Sequence, residues 1–348
     1  MKYLWNLEKK LVQAENCIFV ADSISPLLFP VRQIFRVYSE FSGLEFFEGL
    51  DWEYSAAHNA LIRMENSRMP YISSEKMHPK LSESILYPAK GHNAIPEALD
   101  GSMLIFDNSG FFGSQGIQID YEAEEMNLSV KIENQQSCLP FFRKKLIEKS
   151  KINITLLGDS ISEGYNASAY IGQPPYLQPW IKLFCSELEK RFNCYISLKN
   201  RAINGSGSEF PLKYPDYWQK KDCDLLIIAY GMNDFASLTP EQYINNIDKI
   251  VKKQLAIASN CEFILVASMS GNANWKHTPT GKDLLFRNAL AKYCANKKNM
   301  ALTDLNSCWN EIQKRKGFYA LTGNGVNHPN DYGHRIYASV MLELFNKP

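Results

Sequence analysis

The chain lacks an excess of charge of either sign. Across its 348 residues, 38 lysines and arginines nearly balance 37 aspartates and glutamates, which gives a formal net charge of +1 at pH 7. A surface that binds nucleic acid needs clustered basic residues, so the composition predicts no nucleic-acid partner. The apolar fraction of 45% and the charged fraction of 22% are typical of a folded globular protein and exclude a disordered one.

Long hydrophobic runs are also absent from the sequence. No stretch reaches the roughly 20 consecutive apolar residues of a membrane-spanning helix, so we expect no membrane partner. Residues 1–10 carry charges too early and too often for a secretory signal peptide. On these grounds we expect a cytoplasmic protein, while the sequence leaves its oligomeric state open.

The sequence lacks the common motifs that bind a metal ion or a nucleotide. The eight cysteines form no CxxC pair and no Cys/His spacing typical of zinc, and we interpret them as reduced thiols. A glycine-rich phosphate-binding loop of the P-loop type is missing, which argues against nucleotide chemistry. We therefore expect a protein that needs neither a metal ion nor an organic cofactor.

From about residue 150 onward, apolar strand-like runs alternate with segments of helical periodicity. This alternation predicts an α/β region with a parallel sheet covered on both faces. The predicted strands are 152–157, 196–200, 224–230, 262–268 and 300–305. The predicted helices are 177–191, one capped by Thr239, 282–295, and one that starts near Asp331.

The first 148 residues have a different pattern, in which short strand-like runs are broken by turn residues. These runs are 18–20, 33–38, 61–64, 102–106, 117–121 and 128–132, and 139–149 is interpreted as a short connecting helix. The pattern favours an antiparallel β-sandwich or jelly-roll domain. We therefore predict two domains, a β-rich domain at residues 1–148 and an α/β domain at residues 149–348.

A serine follows the first predicted strand of the α/β domain almost directly, in the sequence GDS at 158–160. Ligands and reacting groups collect at the carboxyl ends of the strands in open α/β sheets. Ser160 is therefore a candidate nucleophile. A serine hydroxyl reacts poorly until a base takes its proton, so the rest of the chain must supply that base.

Four short blocks resemble, in chain order, the motifs of the SGNH/GDSL hydrolase family. They are GDS at 158–160, NG at 204–205, GMND at 231–234 and HPND at 328–331. The resemblance covers roughly residues 150–345 and implies a flavodoxin-like three-layer α/β/α fold. Together with the β-rich first domain, the chain resembles two-domain carbohydrate acetyl esterases of this family.

The resemblance also implies a role for each residue of the blocks. Ser160 is the nucleophile, and His328 is the base, because its imidazole titrates in the useful range. The oxyanion hole is formed by the Ser160 backbone N–H, the Gly205 N–H and the Asn233 side-chain amide. Gly207 is an alternative to Gly205. Asp159 is expected to make structural hydrogen bonds.

One part of the family pattern is missing. The family usually places an aspartate two or three residues before the histidine, and here those positions hold valine and glycine. A backbone carbonyl could orient His328 in a Ser–His dyad, or Asn324 or Asn327 could do so as a neutral amide. Asp331 is a third candidate, although it also looks like the N-cap of the last helix.

Three functions are compatible with these residues. The first is a serine ester hydrolase, which removes short-chain acyl or acetyl groups from an O-acetylated carbohydrate or another small-molecule or oligosaccharide ester. An O-acyltransferase that uses the same site is the second, and a catalytically decayed carbohydrate-binding protein is the third. Candidate aromatic side chains for stacking on sugar rings, each of which could instead belong to the core, are Trp52, Phe111, Phe112 and Trp275.

Overall fold

A computed structural model describes residues 5–6, 10–130, 133–278, 280–295 and 297–345. The chain divides into two compact units. The first unit contains Met1–Val130, Tyr165–Gln178 and Asn310–Ile336, and the second contains Lys131–Gly164, Pro179–Trp309 and Tyr337–Pro348. The division into domains at residues 1–148 and 149–348 stays a prediction. The two compact units have other boundaries, because each contains several separate segments of the chain. Among the described helices, none has the length and apolar character needed to cross a membrane.

Short antiparallel strands form the N-terminal part of the first unit. Their bounds are β1 Trp5–Asn6, β2 Leu11–Cys17, β3 Ile24–Pro26, β4 Val31–Tyr38, β5 Glu45–Phe46, β6 Trp52–Ser55, β7 Ala60–Arg63, β8 Ala94–Ile95, β9 Leu104–Ile105 and β10 Ile117–Ala123. They make a five-stranded sheet in the order β1-β2-β10-β4-β5, a three-stranded sheet in the order β3-β7-β6, and the pair β8-β9. The predicted antiparallel β region is thereby confirmed.

Several predicted strands of this region are displaced. The run at 18–20 is not a strand but follows β2, and residues 128–130 are not strand either, while 131–132 lie outside the described residues. The sequence pattern missed β2 because Glu15 and Asn16 are buried within it. Two adjacent buried polar residues remove the apolar alternation by which a half-buried strand is predicted.

The second unit is built on a five-stranded parallel sheet. Its strands are β11 Lys151–Gly158, β12 Tyr195–Asn200, β13 Leu225–Ala229, β14 Glu262–Val266 and β15 Met300–Thr303. The strand order β12-β11-β13-β14-β15 is the doubly wound order of flavodoxin-like sheets. All residues of β13 and β14 are buried, as expected for strands covered on both faces. The predicted α/β class is confirmed.

The described residues also form helices, which are joined to the strands by loops and turns. Their bounds are α1 Ser74–Met77, α2 Phe111–Ser114, α3 Pro140–Ile147, α4 Ser160–Glu163, α5 Ser168–Ile171, α6 Trp180–Phe192, α7 Phe210–Lys213, α8 Pro215–Trp218, α9 Asp234–Ser237, α10 Pro240–Leu255, α11 Lys282–Cys294, α12 Leu305–Lys316 and α13 Asp331–Leu342, with 3-10 turns at Leu81–Glu83 and Gln136–Cys138. Helix α10 has the predicted capping box, in which Thr239 and Gln242 satisfy each other's backbone N–H groups.

Connections between neighbouring parallel strands are right-handed in nearly all proteins. The chain moves from β11 outward to β12 through α6, and from β13 in the other direction through α10 and α11. The rule therefore assigns α6 to one face of the sheet and α10 and α11 to the other. Helices α10 and α11 pack against each other, in agreement with a shared face.

Candidate active site

The carboxyl ends of three adjacent strands begin the loops that carry Ser160, Gly205 and Asn233. Gly158 at the end of β11 lies opposite Ala229 at the end of β13, and Asn200 at the end of β12 lies opposite Leu156, two residues before the end of β11. Because these strands are parallel, the three loops leave the same edge of the sheet. The predicted nucleophile and the predicted oxyanion donors therefore share one end of the second unit.

Ser160 is the first residue of α4 and is buried. The Asp159 carboxylate caps this helix, because its Oδ1 accepts a hydrogen bond from the Ile161 N–H at 3.0 Å. Directly before it, Gly158 has no room for a side chain. A Cβ there would lie 2.4 Å from the Ser162 Oγ and 3.0 Å from the Ala229 carbonyl oxygen. The glycine thus permits the tight turn between β11 and the serine.

Hydrogen bonds tie the loop after β12 to this turn. The Ile203 N–H donates to the Gly158 carbonyl at 3.0 Å, and the Ser206 hydroxyl lies 3.2 Å from the same carbonyl. The Asn233 Nδ2 donates to the Ser206 carbonyl at 3.0 Å. Between these contacts Gly205 has a φ of +72°, a left-handed conformation that glycine adopts readily. The structure brings the loops of Ser160, Gly205 and Asn233 together.

A second buried carboxylate lies behind this loop. The Asp234 Oδ1 accepts hydrogen bonds from the Ser208 N–H at 2.8 Å and from the Ser208 hydroxyl at 2.5 Å. The Asn246 Nδ2 in turn donates to the Ser208 Oγ at 3.0 Å. A Cβ on Gly207 would lie 3.1 Å from the Asp234 Oδ1. Gly207 therefore has a packing reason to be glycine, independent of any oxyanion.

Both buried carboxyl groups of this unit have raised pKa values. Burial raises the pKa of Asp159 to about 7, and the charge of Asp234 adds to that rise. Burial also raises the pKa of Asp234. Since each group accepts hydrogen bonds from the local backbone, both act as structural acceptors here. This is the role that the sequence predicted for Asp159.

His328 lies in a loop of the first unit that is organised by an asparagine. The Asn324 Oδ1 accepts hydrogen bonds from the backbone N–H groups of Val326 at 2.9 Å, Asn327 at 2.9 Å and His328 at 3.1 Å. The Thr322 Oγ1 accepts from the Gly325 N–H at 2.9 Å. These bonds fix the path of the chain before the histidine, so the imidazole starts from a rigid backbone.

Two amide oxygens lie within hydrogen-bonding distance of the His328 Nδ1. The Asn166 Oδ1 is 2.8 Å away and the Asn108 Oδ1 is 3.2 Å away. Neither residue was predicted as an orienter, because they stand 162 and 220 positions from the histidine in sequence. The two asparagines predicted to orient the histidine bind other groups. Asn324 binds the loop backbone through its Oδ1, and its Nδ2 donates to the Asn327 Oδ1 at 3.0 Å.

The predicted role of Asp331 as a helix cap is wrong. Helix α13 is capped by the preceding residue, Asn330, whose Oδ1 accepts from the Gly333 N–H at 3.0 Å. The Asp331 Oδ1 instead accepts from the Ser168 N–H at 2.8 Å. Burial raises the pKa of Asp331 to about 6. The carboxylate therefore supports the loop of residues 165–178.

The His328 imidazole is held in its neutral form. Burial is the main cause that lowers its pKa to about 3, and the neighbouring His334 lowers it further. The Tyr165 ring packs edge-on against it, with centroids 5.3 Å apart. The His334 Nε2 lies 3.1 Å from the Tyr165 carbonyl. His334 thus supports the segment that packs on His328, as expected for a structural histidine.

The site residues are divided between the two compact units. Ser160, Gly205 and Asn233 belong to the second unit, and His328 with its two amide neighbours belongs to the first. The pairing of the Ser160 hydroxyl with the His328 imidazole stays a prediction from the sequence blocks.

Three of the four aromatic residues named as candidates for stacking on sugars are buried in the core. Trp52 is only 6% exposed, and its indole N–H donates to the Phe46 carbonyl at 3.0 Å. Phe112 is 1% exposed within a buried apolar cluster, and Trp275 is also buried. The sequence could not separate these roles, because a large aromatic side chain suits both.

Comparisons with known proteins agree with the sequence blocks. None of the curated protein sequences matches the chain significantly. A putative GDSL-like lipase from Parabacteroides merdae is similar in structure, with 18% sequence identity and a TM-score of 0.45, over 62% of this chain and 98% of that one. A two-domain esterase active on acetylated mannans has 19% identity and a TM-score of 0.45, over 61% of this chain and 53% of that one.

An acetylxylan esterase from Geobacillus stearothermophilus, Axe2, has 19% identity and a TM-score of 0.43, over 56% of this chain and 95% of that one. The GDSL-like lipase/acylhydrolase family model matches residues 156–336, which is just over half of the 348 residues. That match includes all four sequence blocks. The chain therefore belongs to the GDSL-like lipase/acylhydrolase family and is a carboxylic ester hydrolase.

Proposed function

We propose that this protein removes short-chain acyl groups, chiefly acetyl, from O-acylated carbohydrates through an acyl-serine intermediate at Ser160. The observation that carries the proposal is the hydrogen-bonded group of loops at one edge of the parallel sheet. There the turn at Gly158, the Gly205 loop and the Asn233 side chain are joined through Ser206. An oxyanion hole needs fixed donors of this kind near the nucleophile.

The reaction begins when the Ser160 oxygen attacks the ester carbonyl carbon. The serine proton passes to His328 Nε2 as the new C–O bond forms, and the carbonyl oxygen becomes an oxyanion. The bond to the leaving alcohol then breaks, and the histidine returns its proton to that alcohol. Water repeats the two steps on the acyl-serine, which releases the acid and restores the enzyme.

Three donors are assigned to the oxyanion, namely the backbone N–H groups of Ser160 and Gly205 and the side-chain amide of Asn233. An asparagine amide group carries two N–H donors. One of them is directed at the Ser206 carbonyl, which fixes the rotation of the amide. The other is the donor that we assign to the oxyanion. Because the amide is anchored in this way, its donor is already oriented before the substrate binds.

The carbohydrate part of the proposal is supported by an aromatic surface beside these donors. A pocket of the second unit is lined by Gly205, Asn233, Phe210 and Tyr214, among other residues. Tyr214 is 55% exposed, and its ring centroid lies 5.0 Å from that of Phe210. Exposed aromatic faces of this kind bind the apolar C–H face of a sugar ring while polar groups contact the hydroxyls.

The proposal is tested by acyl-chain and alcohol preference. Hydrolysis of p-nitrophenyl acetate, butyrate and octanoate is compared with acetate release from acetylated xylo- and manno-oligosaccharides. We expect kcat/KM to fall as the acyl chain lengthens, and we expect acetate release from the oligosaccharides. A preference for octanoate would contradict the short-chain assignment. Transfer of acetyl to an added alcohol in place of water would identify an acyltransferase.

The aromatic surface has its own test. Tyr214→Ala is expected to lower kcat/KM on acetylated oligosaccharides about fivefold, since stacking is worth roughly 1 kcal/mol, and to leave p-nitrophenyl acetate hydrolysis unchanged. The matched control is Tyr195→Ala, which removes an equally exposed tyrosine of the same unit, in β12. Equal losses on both substrates, or a loss in the control, would remove Tyr214 from sugar binding.

A further inference from the structure

We propose that Asn166, assisted by Asn108, is the positioning residue for His328 and occupies the functional place of the aspartate that the chain lacks. The proposal rests on the assignment of His328 as the base. The Nδ1 of that imidazole lies 2.8 Å from the Asn166 Oδ1 and 3.2 Å from the Asn108 Oδ1. An amide oxygen at each place accepts a hydrogen bond from the Nδ1–H group, so the proton stays on Nδ1 and Nε2 keeps its lone pair for the serine hydroxyl.

The orientation of the Asn166 amide follows from its second contact. Its Nδ2 lies 3.0 Å from the Gly323 carbonyl oxygen, which can only accept a hydrogen bond. The amide nitrogen must therefore face Gly323, and the amide oxygen must face His328. A flipped amide would bring two oxygens together at Gly323. This backbone contact thus selects the imidazole tautomer that carries its proton on Nδ1.

The orientation of Asn108 is fixed in the same manner, through Asn324. Since the Asn324 Oδ1 accepts three backbone N–H groups, its Nδ2 must point the other way. That nitrogen lies 3.3 Å from the Asn108 Oδ1, which therefore is an oxygen. The Asn108 Nδ2 lies 3.2 Å from the His92 Nε2. A chain of oriented amides thus leads from the loop backbone to the imidazole.

The hydrogen bond from the Asn166 Nδ2 to the Gly323 carbonyl distinguishes this site from a triad in which the aspartate is simply replaced by asparagine. In the serine-protease triad, replacing the aspartate by asparagine lowers kcat roughly 10,000-fold, because the wrong histidine tautomer results. Here the nitrogen of Asn166 is bound to a backbone carbonyl, so the amide cannot present N–H to the histidine. The neutral amide therefore keeps the correct tautomer, although it adds no negative charge beside the imidazolium that forms during the reaction.

Two features of the backbone at Asn166 and Gly323 favour an asparagine at position 166. Asn166 is buried and has a φ of +63°, a conformation that asparagine tolerates better than most residues. A Cβ on Gly323 would lie 2.4 Å from the Asn166 Cβ. Glycine at 323 is therefore what allows the asparagine to approach the histidine loop.

Among the described residues, the titratable groups near the imidazole include His334, which lowers its pKa, and Tyr165, whose ring packs against it. His92 lies beyond Asn108. A carboxylate in place of the Asn166 amide would stabilise the imidazolium and raise the pKa of His328. The acid limb of the rate profile, where the base becomes protonated, would then move to higher pH. A residue with only a packing role would not produce this shift.

The kinetic test compares three variants with the wild type. Asn166→Leu is expected to lower kcat about 100-fold or more, with KM changed little. Asn166→Asp is expected to move the acid limb to higher pH by about one unit or more and to retain only part of the rate, because its second carboxylate oxygen faces the Gly323 carbonyl oxygen that the amide N–H binds in the wild type. The matched control is Asn59→Leu, because Asn59 also has a positive φ, donates to a backbone carbonyl and accepts from a side chain in the same unit. Its kcat should stay within a few-fold.

A second measurement separates this proposal from the proposed function. In protein with 15N-labelled histidine, NMR should show His328 protonated on Nδ1, with the resonance assigned by its absence in His328→Gln. A wild-type Nε2–H tautomer would overturn the positioning role whether or not esters are hydrolysed. An unmoved acid limb in Asn166→Asp would overturn it as well, even if Asn166→Leu fails to fold. A correct tautomer without ester hydrolysis would leave the positioning role intact and contradict only the proposed function.

Discussion

Buried carboxylates support the segment around Ser160, whereas amides support the segment around His328. In the second unit, Asp159 and Asp234 accept hydrogen bonds from the backbone of the nucleophile turn and of the neighbouring loop. In the first unit, Asn324 accepts from three backbone N–H groups and Asn166 contacts the imidazole directly. In both units, buried side chains accept hydrogen bonds from backbone N–H groups beside a predicted reactive residue. The acceptors are carboxylates in the second unit and neutral amides in the first.

The difference has a chemical consequence. Burial raises the pKa of Asp159 to about 7, so the charge beside the nucleophile changes within the physiological pH range. Amides do not titrate, so the polar surroundings that face the His328 Nδ1 keep the same charge at every working pH. The two amides in direct contact with the His328 Nδ1 therefore take up no proton, whereas the nucleophile turn contains a carboxyl group that does. The predictions below test each side of this contrast.

The largest effect is expected on the nucleophile side. Ser160→Ala should lower kcat on p-nitrophenyl acetate roughly 10,000-fold or more, because no acyl-enzyme can form. Ser162→Ala is the control, since Ser162 lies in the same short helix and should keep its rate within about tenfold. A Ser160→Ala enzyme with a wild-type rate and an unchanged circular dichroism spectrum would end the nucleophile assignment.

The second effect tests the donor that Ser206 anchors. Asn233→Ala should lower kcat about 100-fold to 1000-fold, with little change in KM, because the oxyanion forms only in the transition state. Asn204→Ala, an exposed asparagine on the adjoining loop, should stay within about threefold. An increase in KM at unchanged kcat would instead assign Asn233 to substrate binding.

The third effect tests the titrating side of the comparison through stability. The folded-state pKa of Asp159 is raised, so its contribution to stability is fully present at low pH and is lost as pH rises toward 7. Asparagine caps a helix equally well and does not ionise. Relative to wild type, Asp159→Asn should therefore gain about 2 kcal/mol in free energy of unfolding between pH 5 and pH 8.

Urea denaturation at the two pH values measures this difference. Asp22→Asn is the control, because Asp22 is exposed and also accepts a backbone N–H, from Ile24. The gain for Asp159→Asn should exceed any change measured for this control. A constant difference between Asp159→Asn and wild type across the range would mean that Asp159 carries the same charge at both pH values.

The smallest effect concerns the cap of α13 in the amide-rich unit. Asn330→Ala should lower the free energy of unfolding by about 1 kcal/mol or more, because the helix loses its cap and the Ala320 carbonyl loses the Asn330 Nδ2 donor at 3.0 Å. Asn330→Asp keeps the cap acceptor but lacks that donor, so it should restore only part of the loss. Thermal or urea denaturation of the two variants measures the effect. If the alanine variant is as stable as wild type, the observed hydrogen bond to Gly333 contributes nothing to the helix.

Structural features could be predicted from the sequence where the residues that determine them lie close together in the chain. The capping box at Thr239 and the parallel strands were predictable, because their residues interact within a few positions or repeat along the chain. Helix α12 was not predicted. Only Asp304 separates β15 from α12, and its Oδ1 accepts a hydrogen bond from the Ser307 N–H and caps the helix. Because no loop separates the two elements, the strand predicted at 300–305 extended into the first residue of the helix.

The site shows the same limit more sharply. The four blocks are local and predicted Ser160, Asn233 and His328 as candidates, but the roles of these residues stay predictions. The amides that face the histidine come from distant segments, and no spacing in the sequence points to Asn166 or Asn108. The cap of α13 was assigned one residue late, because asparagine and aspartate at 330 and 331 cap equally well. Only tertiary contacts separate them.

The most direct test of the central claim is covalent labelling of the nucleophile. The protein is treated with a fluorophosphonate, which phosphonylates activated serines, and the adduct is located by intact mass and peptide mapping. We predict one adduct per chain on the peptide that contains Ser160, and none in Ser160→Ala. An adduct on another residue, or the absence of any adduct on folded wild-type protein, would contradict an activated serine at this position.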